Sequence, residues 1–451
     1  MTDQGPRPSR PHAAETAAVQ TTVERFVALL DHLGLGRAHI ATNIAGDIAG
    51  LAEAHPDRLG GIVLCAPVRL DPEPFVPVAS RVLMIAGEYG PTEGVTNRAW
   101  GQLPGAERML LDNYEAHGWS DTVADNLAEV SGRMVSFLGR FAADPPRAVV
   151  AEGSHAGIAY RVEGTGPALI LAPFFLAPTQ WAAAIPELSR HFTVISLGGR
   201  HLGGVAALED RARMPTYQAM FRTVIDLIAP KPGEAILDVG SGAGSLDRLL
   251  AHRLAGANPI TTVDASPYLL REATALAAEE GLGDAIRFTQ GNAEALPFPD
   301  ASFDCIFSVT VLEECDADRA IAEMVRVTRP GGRIGIVVRA IDLPQWWHLD
   351  LPEAIRAKVT PPPQSVGRGG VADQSLYRRL KQAGLADLVA FPFLLTLDRP
   401  DGPIWRYRED HVLSLLSADQ REVWRTARAR AEKDGLLMMA NPLHCAVGRK
   451  P

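Results

Sequence analysis

The residues best suited to chemistry are densest around Asp238, where the chain runs Asp-Val-Gly-Ser-Gly-Ala-Gly as far as Gly244. Glycines at 240, 242 and 244 permit a tight turn and let backbone N–H groups approach a ligand with no Cβ in the way. The apolar run Ala235–Val239 contains Asp238 near its end, and Leu246, Leu249, Leu250 and Leu254 follow the glycines at helical spacing. A second short run, Ile260-Thr-Thr-Val, ends in Asp264, 20 residues beyond Gly244. A carboxylate there can accept hydrogen bonds from both hydroxyls of a ribose, as in any nucleotide-binding βαβ unit. The spacing is Asp-x-Gly-x-Gly-x-Gly and not the Gly-x-Gly-x-x-Gly of dinucleotide sites. Asp238 is placed to meet a cationic amino group, which a pyrophosphate ligand lacks.

Further runs stand downstream: Gly291-Asn-Ala-Glu-Ala-Leu-Pro-Phe, Ser302-Phe-Asp-Cys-Ile-Phe-Ser and Ala320-Ile-Ala-Glu-Met-Val-Arg-Val-Thr-Arg-Pro-Gly-Gly-Arg-Ile. Together with the glycine turn they closely resemble class I S-adenosylmethionine-dependent methyltransferases, particularly the ubiquinone/menaquinone-biosynthesis-like group. The resemblance covers about Pro215 to Pro451, and the terminal His444-Cys-Ala-Val-Gly-Arg-Lys-Pro is similar to that family's last strand. It implies a Rossmann-like, seven-stranded α/β sheet with S-adenosylmethionine as cofactor. It also implies that Asp238, Gly240, Ser241, Gly242 and Gly244 hold the methionine part, Asp264 the ribose, and Ala265, Asn292, Ala293 and Ser308 further parts of the cofactor. Asn292 departs from the family, which usually has Asp there; an amide oxygen still accepts from an exocyclic amine, without charge assistance.

Methyl transfer from a sulfonium needs positioning and a dry site more than covalent help. A base is required only where the acceptor must lose a proton. In the run Thr310-Val-Leu-Glu-Glu-Cys, Glu314 occupies the position where the family often has His. It is the candidate catalytic residue, as base or as partner of a cationic acceptor, with a dipole-favoured helix-start carboxylate as the plainer reading. Trp346, Trp347 and His348 either stack on an aromatic acceptor or simply pack. The basic run Arg421 to Lys433 reads as a solvated helix face.

The chain before this segment carries a second resemblance. Leu30-Asp-His-Leu-Gly-Leu-Gly-Arg-Ala-His-Ile, Ala41-Thr-Asn-Ile-Ala-Gly and Ala54-His-Pro-Asp-Arg-Leu-Gly-Gly-Ile-Val-Leu resemble the later half of an α/β-hydrolase. Gly157-Ile-Ala-Tyr-Arg-Val-Glu-Gly-Thr-Gly-Pro, Ala168-Leu-Ile-Leu-Ala and Phe192-Thr-Val-Ile-Ser-Leu-Gly-Gly-Arg-His resemble the early half. Asn43 stands where that family has its serine nucleophile, between Ala41 and Ala45 in place of glycines. No acid stands in register near Gly90, although Glu88 is close. His117 falls at the catalytic histidine, and Ala172-Pro173 replaces the oxyanion loop, where proline has no N–H to donate. These departures point to a hydrolase-like domain that has lost hydrolysis. Its halves are circularly permuted, with strand Ala168–Ala172 expected between Phe192–Ser196 and Ala38–Thr42. If the Ala142–Arg147 connection is too short, the halves would complete each other between two protomers.

The elements that must position these residues alternate helical and β-rich periods from Thr21 onward, an α/β pattern. The chain divides into a polar tail over 1–20, hydrolase-like halves over 21–147 and 148–210, and the methyltransferase-like segment over 211–451, with Gly198–Asp210 reading as loop. Its 451 residues, 47% hydrophobic and 22% charged, suit two or three globular domains. A net charge of −9 gives no general reason to bind nucleic acid or an anionic membrane. No apolar run is long enough to span a bilayer and no signal peptide is evident, so a cytoplasmic protein is expected. Four cysteines show neither metal-ligand nor disulfide spacing. The expected function is methylation of a small-molecule acceptor, its identity and reacting atom left open. The rivals are a bifunctional enzyme using His117 with a partner such as Asp47, and a non-enzymatic module that binds S-adenosylmethionine.

Overall fold

The computed structural model describes residues 21–117, 120–147, 150–199, 201–364, 366–398, 400 and 403–451. The expected tail over 1–20 lies outside the described residues, as do 148 and 149 at the expected boundary between halves. The first described helix, Thr22–His32, starts at a reciprocal cap between Thr21 and Glu24 and buries Phe26, Leu29 and Leu30 at i, i+3, i+4 spacing.

Eight strands form the first sheet: β1 (Ala38–Thr42), β2 (Leu59–Cys65), β3 (Val82–Tyr89), β4 (Glu107–Glu115), β5 (Glu152–His155), β6 (Ile158–Glu163), β7 (Ala168–Leu171) and β8 (Thr193–Gly198). Their order is β4-β3-β2-β1-β7-β8-β6-β5. Thus β7 lies between β8 and β1, with Ile40 opposite Ile170 and Ile170 opposite Ile195. Strands from both segments share one sheet within a single chain. The Ala142–Arg147 connection manages this by crossing the starts of β1 and β7. The Asp144 N–H donates to the Arg37 carbonyl and the Asp144 carbonyl accepts from Ala168. Every residue of β1, β2 and β7 is buried, as parallel strands covered on both faces require. Two apolar clusters flank the sheet, one around Phe26, Leu51 and Phe75, the other around Phe137, Phe174 and Trp181.

The second sheet contains β9 (Ile236–Val239), β10 (Ile260–Asp264), β11 (Ile286–Gln290), β12 (Phe303–Val309), β13 (Thr328–Arg339), β14 (Trp346–Trp347), β15 (Ala386–Leu397) and β16 (Met439–Arg449). Its order is β11-β10-β9-β12-β13-β16, with β15 and the two-residue β14 both paired to β16. The two-residue β14 is the addition to the expected seven strands. Strands β9 to β13 are parallel, and β16 returns antiparallel against β13. All parallel strands therefore end on one side, beside the glycine turn.

The expected loop over Gly198–Asp210 is corrected: a helix spans Gly203–Arg213, ahead of the helix Pro215–Ile228. Two glycines disguised it. Gly203 has φ +76° and its backbone lies against Pro173, while a Cβ on Gly204 would meet the Phe175 carbonyl oxygen at 2.0 Å. The glycines are there because the helix start presses onto the first sheet's loops. The boundary expected at 210/211 falls inside this helix. Before the Ala142–Arg147 connection, two helices, Thr122–Asp125 and Leu127–Leu138, meet at Asn126.

The two sheets meet through an apolar cluster of Ala177, Val205, Ala243, Leu269 and Leu276. An exposed ion pair between Arg425 and Glu73, 3.0 Å, adds a contact farther out.

Candidate functional site

The turn after β9 is held open by its glycines. Gly240 has φ +84°, and a Cβ there would lie 2.2 Å from a Val311 methyl group. Gly242 and Gly244 also have positive φ, +57° and +69°. Asp264 fixes the turn from β10: one carboxylate oxygen accepts the Gly242 N–H at 2.8 Å and the other the Ser266 N–H at 2.9 Å. Burial pushes the Asp264 carboxyl above its ordinary range.

Beside this turn lies a small, partly open cavity. Asp238, Gly240, Ser241, Ser245, Leu246 and Val309 line it from the sheet and turn; Leu208, Arg211, Ala212 and Tyr217 close it from the two helices before β9. Three buried polar atoms around it have no hydrogen-bond partner among the described residues: Ser241 Oγ, the Tyr217 hydroxyl and Arg211 Nε. The Arg211 guanidinium lies over the Tyr217 ring, 4.9 Å from its centre, and donates to Thr310 Oγ1 at 3.1 Å. Thr310 itself, at the end of β12, has φ +58°, a conformation that stores strain in a non-glycine residue. Buried polar groups are normally satisfied, so three such atoms around one cavity make it the candidate site for a polar ligand.

Asp238 is buried, and Asp247, on the helix Ser245–Leu254, is fully buried beside it. No N–H or hydroxyl among the described residues donates to either Asp247 oxygen, so its partner is the Asp238 carboxyl, through a retained proton. Burial first, and then the neighbouring carboxylates, push Asp238 well above its ordinary value; burial pushes Asp247 up to about 7. Two such carboxyls cannot both ionise cheaply.

The remaining expected cofactor residues divide. Ala265 and Asn292 are exposed and Ala293 is half-buried, at the ends of β10 and β11. Asn292 Oδ1, expected to face an adenine amine, accepts the Glu294 N–H at 2.8 Å. Ser308 is buried within β12 and its hydroxyl donates to the Val239 carbonyl at 2.8 Å, bracing β12 against β9. Glu314 is exposed and paired with Arg339 at 2.6 Å. Its neighbour Glu313 is the buried carboxylate: it accepts the Arg339 N–H at 2.6 Å, while its second oxygen has no partner among the described residues. Burial raises the Glu313 carboxyl above its usual range. Trp347 packs edge-on against Trp405 and Trp424, Trp346 is exposed, and His348 Nδ1 lies 2.8 Å from the Leu436 carbonyl.

Sequence reading missed Glu209, Arg211, Tyr217, Asp247 and Glu313. Arg211 and Tyr217 flank the Met214-Pro215 break in a stretch read partly as loop, with no motif to mark them. Asp247 carried a signal, an acid on the buried side of an amphipathic helix beside Leu250 and Ala251.

At the first sheet's corresponding turn, Asn43 is buried and its amide nitrogen donates to the Cys65 and Ala66 carbonyls at 2.9 and 2.5 Å. His117 Nε2 lies 3.1 Å from Glu115, and Glu88 accepts the Asn113 N–H at 2.8 Å. The Ala172 N–H is committed to the Ala41 carbonyl. Asp47 accepts the Gly203 N–H at 3.0 Å. Among the described residues no cluster of His, Cys, Asp and Glu could hold a metal ion, and no helix is long and apolar enough to cross a membrane.

Residues 237–336 match the family described as methyltransferase domain. The chain is similar to a ubiquinone/menaquinone biosynthesis C-methyltransferase of Hahella chejuensis, 35% identical over 128 residues, covering 28% of this chain and 51% of that protein. It is also similar to an uncharacterized methyltransferase, YodH, of Bacillus subtilis, 33% identical over 160 residues, 35% of this chain and 61% of that protein. The chain thus spans about half the length of the curated relatives it matches first. Among solved structures, the YcgJ protein of Bacillus subtilis matches 52% of this chain and 98% of its own, at 21% identity and a TM-score of 0.37.

Proposed function

We propose that the chain is an S-adenosylmethionine-dependent methyltransferase acting on a small-molecule acceptor, with its first sheet a hydrolase-like accessory domain without hydrolytic activity. The observation that carries this reading is the cavity beside the glycine turn, where Asp238 and three unpartnered polar atoms converge. Their chemistry fits an amino-acid end: Asp238 for the ammonium, and Arg211, Ser241 and Tyr217 as donors to the carboxylate. Asp264, at the end of the neighbouring strand, suits ribose hydroxyls, and Ala265, Asn292 and Ala293 stand where the adenine would follow. The cofactor supplies an activated methyl group. The chain's task is to hold the acceptor in line and exclude water, which accounts for much of such a rate. Glu314, exposed beside the Arg339 guanidinium, is the proposed base or cation partner for the acceptor.

Loss of hydrolysis rests on three commitments. The Asn43 amide is no nucleophile and is tied to two carbonyls; His117 pairs with Glu115; the Ala172 N–H is used within the sheet and Pro173 has none. Asp47 accepts the Gly203 N–H, and turnover of a generic ester that His117→Ala abolishes would favour the rival pairing of His117 with Asp47.

Titration with S-adenosylmethionine should show binding that Gly242→Arg abolishes, since any side chain at φ +57° is strained and its Cβ would crowd Leu208 at 3.1 Å. Unchanged binding would refute the site. A methyl-transfer screen against a metabolite library, read by mass spectrometry, should then yield a product that Asp264→Ala suppresses. Binding without transfer to any acceptor would favour a sensor or scaffold. Glu314→Gln should lower the transfer rate with cofactor binding intact; an unchanged rate removes Glu314 from the reaction.

A further inference from the structure

We infer that the first sheet acts on the cofactor cavity through the helix Gly203–Arg213, and that Asp47, in the accessory domain, is its positioning residue. The inference rests on the cavity being a cofactor site, as proposed above. The helix touches both sheets at opposite ends. At its start, the Gly203 N–H donates to the buried Asp47 carboxylate at 3.0 Å, and a Cβ on Gly203 would lie 2.5 Å from Pro173. The first N–H groups of a helix have no partner within it, and an anion there is favoured by the dipole. Asp47 also sits in the first turn of its own helix, Ala45–Ala54, so one carboxylate serves two helix starts.

The other end of the helix is the wall of the cavity. Leu208 lies against the Gly242 turn, and Arg211 reaches Thr310 and covers Tyr217. Between them, Glu209 accepts from Ser245 Oγ at 2.7 Å and pairs with the buried Arg248. One continuous helix of eleven residues joins the Asp47 contact to the cavity wall, so the position of its start and that of Leu208 and Arg211 are fixed together. Asp47 therefore sets where Leu208 and Arg211 stand without touching the ligand. The strand-end site that hydrolases use for chemistry is here an anchor for the wall of another site.

The test compares wild type, Asp47→Ala, Asp47→Asn and Glu73→Ala, each full length. The probes are the S-adenosylmethionine dissociation constant and hydrogen exchange at residues 203–213 and 240–246. Loss of a charge-assisted hydrogen bond should weaken binding by about ten-fold in Asp47→Ala. Asp47→Asn keeps an acceptor oxygen and should recover most of that loss. Glu73→Ala, which breaks the exposed inter-sheet ion pair, should leave binding unchanged. Wild-type affinity in Asp47→Ala overturns the inference, as does an equal loss in Glu73→Ala. If Asp47→Ala does not fold, wild type alone decides: the cofactor must slow exchange at residues 203–205, and no change there overturns the inference. A wild-type protein that binds no S-adenosylmethionine refutes the proposed function instead. The anchor is then judged by exchange at 203–213 and 240–246, faster in Asp47→Ala or, if the inference is wrong, equal.

Discussion

Each sheet has a turn where a central parallel strand hands over to a helix, and the two turns are finished in opposite ways. After β1 the turn is closed: Asn43 fills it, and its amide nitrogen caps the Cys65 and Ala66 carbonyls at the end of the neighbouring strand. After β9 the turn is open: three glycines at positive φ leave a cavity whose walls carry unpartnered polar atoms and a crowded carboxyl pair. Strand ends of open parallel sheets are where such folds bind ligands. Here the β1 turn is filled by a bonded side chain, with Asn43 Oδ1 left unpartnered among the described residues, while the β9 turn opens on a cavity lined by several unpartnered atoms. A buried polar group without a partner costs free energy that a ligand can offset, so the turn that opens on a cavity with several of them is the candidate site.

The largest expected effect tests that under-satisfaction through pH. Burial and mutual repulsion make the Asp238–Asp247 pair keep a proton that the unfolded chain gives up above about 3.8, with Asp247 pushed up to about 7. The folded state binds more protons than the unfolded one across that window, so the pair's contribution to stability is full below it. It is withdrawn as pH rises toward 7, by at most about 1.4 kcal/mol per pH unit for one proton. Asp247→Asn should flatten this part of the profile, read as the difference between variant and wild-type denaturation midpoints from pH 4 to 7. Carboxylates held low by arginines elsewhere, such as Glu234 and Glu323, contribute the opposite slope equally to both proteins and cancel. A constant difference across the window would mean that the pair is not protonated, and the contrast between the turns would lose its electrostatic half.

A smaller effect is expected at the closed turn. Asn43→Ala leaves the Cys65 and Ala66 carbonyls without their buried donor, a cost of about 1–3 kcal/mol. Cofactor affinity should change little, because the turn does not line the cavity. Asn43→Ser should gain no turnover of a generic ester, since a hydroxyl placed there would still meet a histidine paired with Glu115 and an oxyanion loop without free donors. Ester hydrolysis by Asn43→Ser that His117→Ala removes would show that the closed turn had lost only its nucleophile.

These differences bear on what could be read from the chain alone. The glycine turn between Asp238 and Asp264 was legible because its geometry is carried by residue type at short, fixed spacing. The order of β8, β7 and β1 was legible through the resemblance to permuted hydrolase halves; apolar runs such as Ala168-Leu-Ile-Leu call for burial on both faces but do not name their neighbours. The helix Gly203–Arg213 was not, because its glycines answer a tertiary demand, close approach to Pro173 and Phe175, that local propensity cannot express. Arg211 and Tyr217 were hidden for the same reason: they meet at the cavity only once both sheets hold the helix. Glu313 and Glu314 are adjacent and alike in sequence and both pair with Arg339, and only burial distinguishes the enclosed carboxylate from the one at the surface.

The smallest expected effect concerns the far edge of the open turn, where the site departs from the family it resembles. Asn292 spends its side-chain oxygen on the Glu294 N–H, and an amide has only one oxygen to give. In Asn292→Asp a carboxylate could keep that bond and offer its second oxygen, with charge, to an exocyclic amine. The residue is exposed, so solvent screens the gain and the improvement in S-adenosylmethionine affinity should be only about two- to five-fold. Competition with adenosine separates the causes, because adenosine lacks the amino-acid end. If Asn292 stands at the adenine, the substitution should strengthen both ligands by the same factor. Strengthening of S-adenosylmethionine alone would place the new charge near the sulfonium, and no change in either would put the adenine elsewhere along the ends of β10 and β11.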